Sequence, residues 1–77
     1  MIPKMVDMLV HVNENLDQAN QEALVNKVRD MHGVFSAHIP AGKPHLMLVE
    51  YNPDWIRSRN IMEVVSDRGL HAQMVGF

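Results

Sequence analysis

Seventy-seven residues with no cysteine, a formal net charge of −2 and 47% hydrophobic content describe one small domain spanning residues 1–77, held by its core alone. A chain of this size buries only about 60% of its unfolded surface and here has no disulfide to support it, so its stability margin is thin. The slight acidity gives no basic footprint for nucleic acid or anionic lipid, and the missing thiols exclude disulfides, thiolate metal sites and iron–sulfur ligation.

The N-terminal Met1-Ile2-Pro3-Lys4-Met5-Val6-Asp7 places an aspartate where the apolar run of a signal peptide would lie. The longest unbroken apolar run, Leu46 to Val49, is far short of the roughly 20 residues of a membrane span. The expectation is therefore a cytoplasmic protein with no membrane insertion. From Met5 to Val12 the pattern alternates: Val6, Met8, Val10 and Val12 form one apolar face, against Met5, Asp7, Leu9 and His11 on the other. That is the period of a half-buried strand. Asp17 to His32 has helical spacing, with Leu24, Val28 and Met31 on a stripe flanked by Ala23 and Val25. Asp17 suits the N-cap, Lys27 and Arg29 suit the C-terminal half, and Gly33 suits the left-handed C′ position.

Val34 to Ile39 predicts a second strand, ended by Pro40-Ala41-Gly42-Lys43-Pro44, which cannot continue a ladder. His45 to Tyr51 alternates as a third strand and stops at Asn52-Pro53-Asp54. A second helix is predicted from an N-cap at Ser58 to Arg68, with Ile61, Val64 and Val65 inward, Gly69 closing it and Ile56 packed back as a staple. Leu70 to Val75 predicts a last strand with Leu70, Ala72 and Met74 inward. The order βαββαβ defines an α+β, ferredoxin-like sandwich. Right-handed crossovers then give a four-stranded antiparallel sheet of order 4-1-3-2 with both helices on one face.

Asp17-Gln18-Ala19-Asn20, the helical stripe running to Met31-His32-Gly33-Val34, Tyr51-Asn52-Pro53 and Gly69-Leu70 together resemble the heavy-metal-associated domain family, over nearly the whole chain. That family includes small copper chaperones and the N-terminal modules of metal-transporting ATPases. The resemblance places the family's two metal-binding cysteines at Asp17 and Asn20. Copper(I) wants thiolate, and these are oxygen ligands, so no family metal ligand carries over. Both residues are explained as helix N-terminal groups that satisfy orphan backbone N–H groups.

Five histidines remain to be placed. On the predicted sheet His11, His38, His45 and His71 fall at the end that carries the first strand–helix loop, with His11 and His71 side by side on adjacent strands. His38 lies two strands away from His11, roughly 9–10 Å, too far to share one mononuclear site within a single chain. Imidazole suits zinc, copper(II) and nickel. The alternative is a set of polar residues at a wet strand end, and no cofactor is required by the fold. His32 suits the dipole at the end of the first helix. Of the seven methionines, Met8, Met31, Met47 and Met74 fall at core-facing positions, where methionine is ordinary filler.

The helix-free face carries Met5, Leu9, Leu46, Leu48 and Val75 among Asp7, Ser36, His38, Glu50 and Gln73. An antiparallel sheet open to water is normally more polar than this. The clustering of leucines on the two central strands predicts a contact surface, either for a homodimer or for another protein. RNA-binding sheets of this topology stack bases on central-strand aromatics, which are leucines here. An anion loop for a phosphatase would need arginine where the chain has Asn13-Glu14-Asn15-Leu16-Asp17. No nucleophile or paired catalytic carboxylates emerge from the spacing. The sequence predicts a non-enzymatic interaction module, with a histidine-based metal carrier or sensor as the alternative.

Overall fold

In a computed structural model, which describes residues 4–75, the chain forms β1 (Val6–Val12), α1 (Gln18–Arg29), β2 (Val34–His38), β3 (Leu46–Tyr51), α2 (Ser58–Asp67) and β4 (Ala72–Val75). The strands order as β2-β3-β1-β4, and every neighbouring pair is antiparallel. This is the expected ferredoxin-like order, read from the opposite edge. Alternation along the central strands buries Met8, Val10, Val12, Met47 and Val49. Leu24, Val25 and Val28 of α1 and Ile61 and Val65 of α2 join the same cluster, so both helices cover one face of the sheet. Among the described residues no helix is long and apolar enough to cross a membrane.

Asp17 caps α1 as expected, its Oδ1 accepting the Asn20 N–H at 2.8 Å. The helix stops earlier than its apolar stripe suggests. Arg29 is its last residue and Asp30 its C-cap, and the Met31 N–H bonds back only three residues, to the Val28 carbonyl. Met31 still packs against the core, so the stripe continues past the end of the hydrogen-bond ladder. Gly33 is therefore not the C′ residue of α1. Its φ of +97° belongs to the turn into β2, where an added Cβ would lie 2.9 Å from Ile56 Cγ2 and 3.0 Å from Trp55 Cβ. His32, expected at the helix dipole, instead stacks on Trp55 with ring centroids 5.4 Å apart.

The start of α2 is also one residue off. Arg57 is the N-cap and Ser58 the first helical residue. Asn60 Oδ1 accepts the Arg57 N–H at 3.2 Å, an interaction that spacing alone did not single out. Gly69 closes α2 as predicted, one position past the Arg68 C-cap, with φ +79°. Upstream, Asn52 is only 3% exposed. Its N–H donates to the Gly33 carbonyl, its Oδ1 accepts the Asp54 N–H, and its carbonyl accepts from Trp55 and Ile56. One buried amide thus joins the two loops at this end, and all of its backbone groups are satisfied.

Two inward assignments fail at the periphery. Val6 is 39% and Met74 48% exposed, although their register sets them on the helix side. Val6 begins its strand and Met74 lies near the end of an edge strand, past the cover of the helices. The β4 ladder begins at Ala72 rather than Leu70, while Leu70 packs against the core from the preceding turn. In β2 the pairing moves from Val34↔Tyr51 to Ser36↔Glu50, which makes Phe35 an extra residue. The bulge turns Phe35 outward, where simple alternation would have put it with buried Ala37.

Candidate functional site

On the helix-free face the register sorts the exposed side chains into rows across the strands. The central row is Val75–Leu9–Leu48–His38, one residue from each strand. Toward the start of β1 lies Asp7–Glu50–Ser36, in which the Ser36 hydroxyl donates to Glu50 Oε1 at 2.6 Å. Toward the end of β1 lies Gln73–His11–Leu46. Leu9, Leu46 and Leu48 are half-buried and Val75 and Met5 exposed, with no element of the described residues packed over them. The predicted contact residues Leu9, Leu46, Leu48 and Val75 therefore form one continuous patch. Met5 precedes the ladder.

The histidines occupy the predicted end of the sheet in a different arrangement. His11 pairs with Gln73 rather than His71, and the His71 carbonyl accepts the Asn13 N–H. The antiparallel register, with His11 opposite Gln73 and Val12 opposite Ala72, sets His71 at the level of Asn13, two residues past His11. Glu14 holds His71 from two sides: Oε1 accepts its backbone N–H at 2.8 Å and Oε2 lies 2.6 Å from Nδ1. The imidazole hydrogen bond, chiefly, lowers the Glu14 carboxyl below its usual range. His11 stacks nearly parallel on His45, centroids 5.8 Å apart. His45 Nδ1 lies 2.8 Å from the Val12 carbonyl. A carbonyl only accepts, so that nitrogen carries the proton. His11 Nδ1 is buried without a partner, and His38 is exposed on the edge strand. Among the described residues no group of three or more His, Cys, Asp or Glu could hold a metal ion.

Two further features escaped sequence reasoning. At the opposite end of the sheet Trp55, 56% exposed, carries His32 on one side and Phe35 at 6.2 Å, forming an outward aromatic cluster. Its only signal was the pairing of a lone tryptophan with a phenylalanine at a bulge, which alternation cannot detect. Beside α1, a groove lined by Gln21, Val25, Asn26, Arg29, Ile39 and Pro40 opens toward the β2–β3 turn. Its wall is braced by Arg29 Nε donating to the Ala37 carbonyl at 3.0 Å.

No protein-family profile matches the chain, and no curated protein does. Solved structures match over nearly the whole chain. The copper-binding domain from HMA7, a P-type ATPase, is 20% identical with a TM-score of 0.81, covering 91% of this chain and 93% of that one. The putative copper-ion-binding protein from Bacillus anthracis str. Ames is 17% identical with a TM-score of 0.83, over 94% and 100%. Oxidized MerP from Ralstonia metallidurans CH34 is 10% identical with a TM-score of 0.84, over 95% and 100%. At these identities the likeness establishes the fold. The chain has the architecture of heavy-metal-associated domains, as its sequence resemblance predicts, and it contains no cysteine.

Proposed function

We propose that the chain is a non-enzymatic interaction module: a metallochaperone-type fold without a thiolate metal site that binds protein through its helix-free sheet face. The Val75–Leu9–Leu48 row carries this reading, because it sets apolar side chains from three strands side by side on a face that no helix covers. Removing such a patch from water favours association by roughly 25 cal/mol per Å² of apolar surface. The Asp17 and Asn20 loop contributes a helix cap and no soft-metal ligand. The test is Leu48→Glu beside Leu46→Glu. A carboxylate is costly to desolvate in an apolar contact, so both variants should keep the wild-type circular dichroism and lose association, whether with copies or with other proteins. Unchanged association with a sharply lowered melting temperature would make these leucines structural and sink the reading.

A histidine metal site is the second reading, favoured by one observation: His11 Nδ1 is buried with no partner beside the His45 ring. Near-parallel rings do not converge on one ion, and His71 is engaged by Glu14. A site for zinc, copper(II) or nickel therefore needs ligands from a second chain, His38 being the exposed candidate. Calorimetric titration with zinc, comparing wild type with His11→Ala and His38→Ala, tests it. Equal heats for all three would remove it.

A further inference from the structure

We infer that the partner this face fits is a second copy of the same chain, packed sheet to sheet about a two-fold axis along the Leu9–Leu48 row. The inference rests on the interaction-face reading above and names its partner. Its basis is the polarity of the rows. Moving along β1, the face runs from an acidic row with Asp7 and Glu50, through the apolar row, to a row with His11, Leu46 and Gln73.

Two identical sheets packed face to face are related by a two-fold axis lying in the plane of contact, and the polarity separates the possible directions. An axis parallel to β1 sets each acidic row against its own copy. That brings four carboxylates together, because Asp7 and Glu50 occur in both copies, and like charges in register are costly. An axis along the central row runs β1 antiparallel to its copy, with Leu9 facing Leu9 and Leu48 facing Leu48. It also sets Asp7 of one copy opposite His11 of the other, twice. His11 Nδ1 is buried within its own chain, which leaves Nε2 as the atom it can offer to a carboxylate. The same axis sets Glu50, already hydrogen-bonded by Ser36, opposite Leu46, so no two carboxylates face each other and the second arrangement is the one that charge favours.

The footprint limits the strength. Four strands and the seven residues of β1 span about 19 by 23 Å at ordinary strand spacing and rise. A standard stable interface buries about 800 Å² per partner. The dimer is accordingly weak and belongs to the transient class.

Sedimentation equilibrium from micromolar to millimolar concentration tests the inference. Wild type should self-associate. Asp7→Lys and His11→Glu should each weaken self-association about tenfold, the first by removing the two carboxylates that accept from His11 Nε2 and the second by setting two carboxylates against Asp7. Mixing the two variants should restore it, because each new charge then faces its opposite. Circular dichroism confirms folding. Leu46→Glu with Glu50→Lys, two positions that the same axis sets opposite each other, replaces the pair if His11→Glu does not fold. A monomeric wild type at millimolar concentration overturns the inference, as do folded variants that associate like wild type or fail to recover on mixing. Leu48→Glu separates the two levels. Loss of association in Leu48→Glu without recovery in the mixture rejects only this two-fold arrangement, whereas association untouched by Leu48→Glu rejects the interaction face as well.

Discussion

Gly33 shows how one residue can satisfy two constraints that a sequence displays as one. Its φ of +97° lies in the left-handed region, and its missing Cβ leaves room for Ile56 and Trp55. Gly33→Ala should therefore cost about 1–3 kcal/mol. For a domain of this size the melting temperature should fall by about 4–8 °C per kcal/mol lost. A melt indistinguishable from wild type would show that the turn relaxes freely. Glu14 carries the pH dependence at this scale. Its carboxyl is lowered from 4.5 in the folded chain, mainly by the His71 imidazole. A depressed acid binds protons less readily when folded, so its contribution is present above the unfolded value and is lost as pH falls through the lowered one. Glu14→Gln should flatten the decline of melting temperature below about pH 4.5, where unfolded glutamate titrates. Identical acid limbs for the two proteins would argue against the contact.

At the scale of elements, the helix caps and the β2 bulge separate what was legible from what was not. Asp17 was legible as a cap because a short acidic side chain before an apolar stripe has little other local role. Asp17→Ala should cost about 0.5–2 kcal/mol, measured by urea unfolding, without changing the sheet. The α2 cap was misread by one residue because Ser58 is the better capping type, whereas the bond that forms is the Asn60 side chain returning to the Arg57 N–H. The end of α1 was misread because burial of Met31 continues the helical period after the backbone has turned away. Phe35 could not be placed, since a bulge changes the parity of a strand without leaving a local signature in its residues.

For the whole molecule, packing separates the two faces of the sheet. Leu24 is fully buried, and Leu24→Ala should cost about 2–5 kcal/mol, far more than a substitution at half-buried Leu46. Comparable losses at both positions in denaturant unfolding would mean that the outer face is also core. Copper(I) gives a second whole-molecule test. The chain has no thiolate, and Met8 and Met47 are buried, so copper(I) should bind no more tightly than to a generic methionine-containing protein. A competition assay that gave dithiolate-like affinity would contradict this.

The element order, the sheet order, the core of Met8, Val10, Val12, Leu24, Val28, Ile61 and Val65, and the absence of thiolate ligands are all legible in the residues alone. Each of these follows from periodicity, chain connectivity or residue chemistry, which are local or count-based properties. Which side chains meet is settled by packing and register. His11 lies on His45 and not beside His71, Glu14 reaches across fifty-seven positions to His71, and Asp7, Leu9 and His11 extend into rows across the sheet. Those contacts depend on strand register and on where each ladder begins. A shift of one residue there moves a side chain to the other face without altering the pattern that predicts the strand.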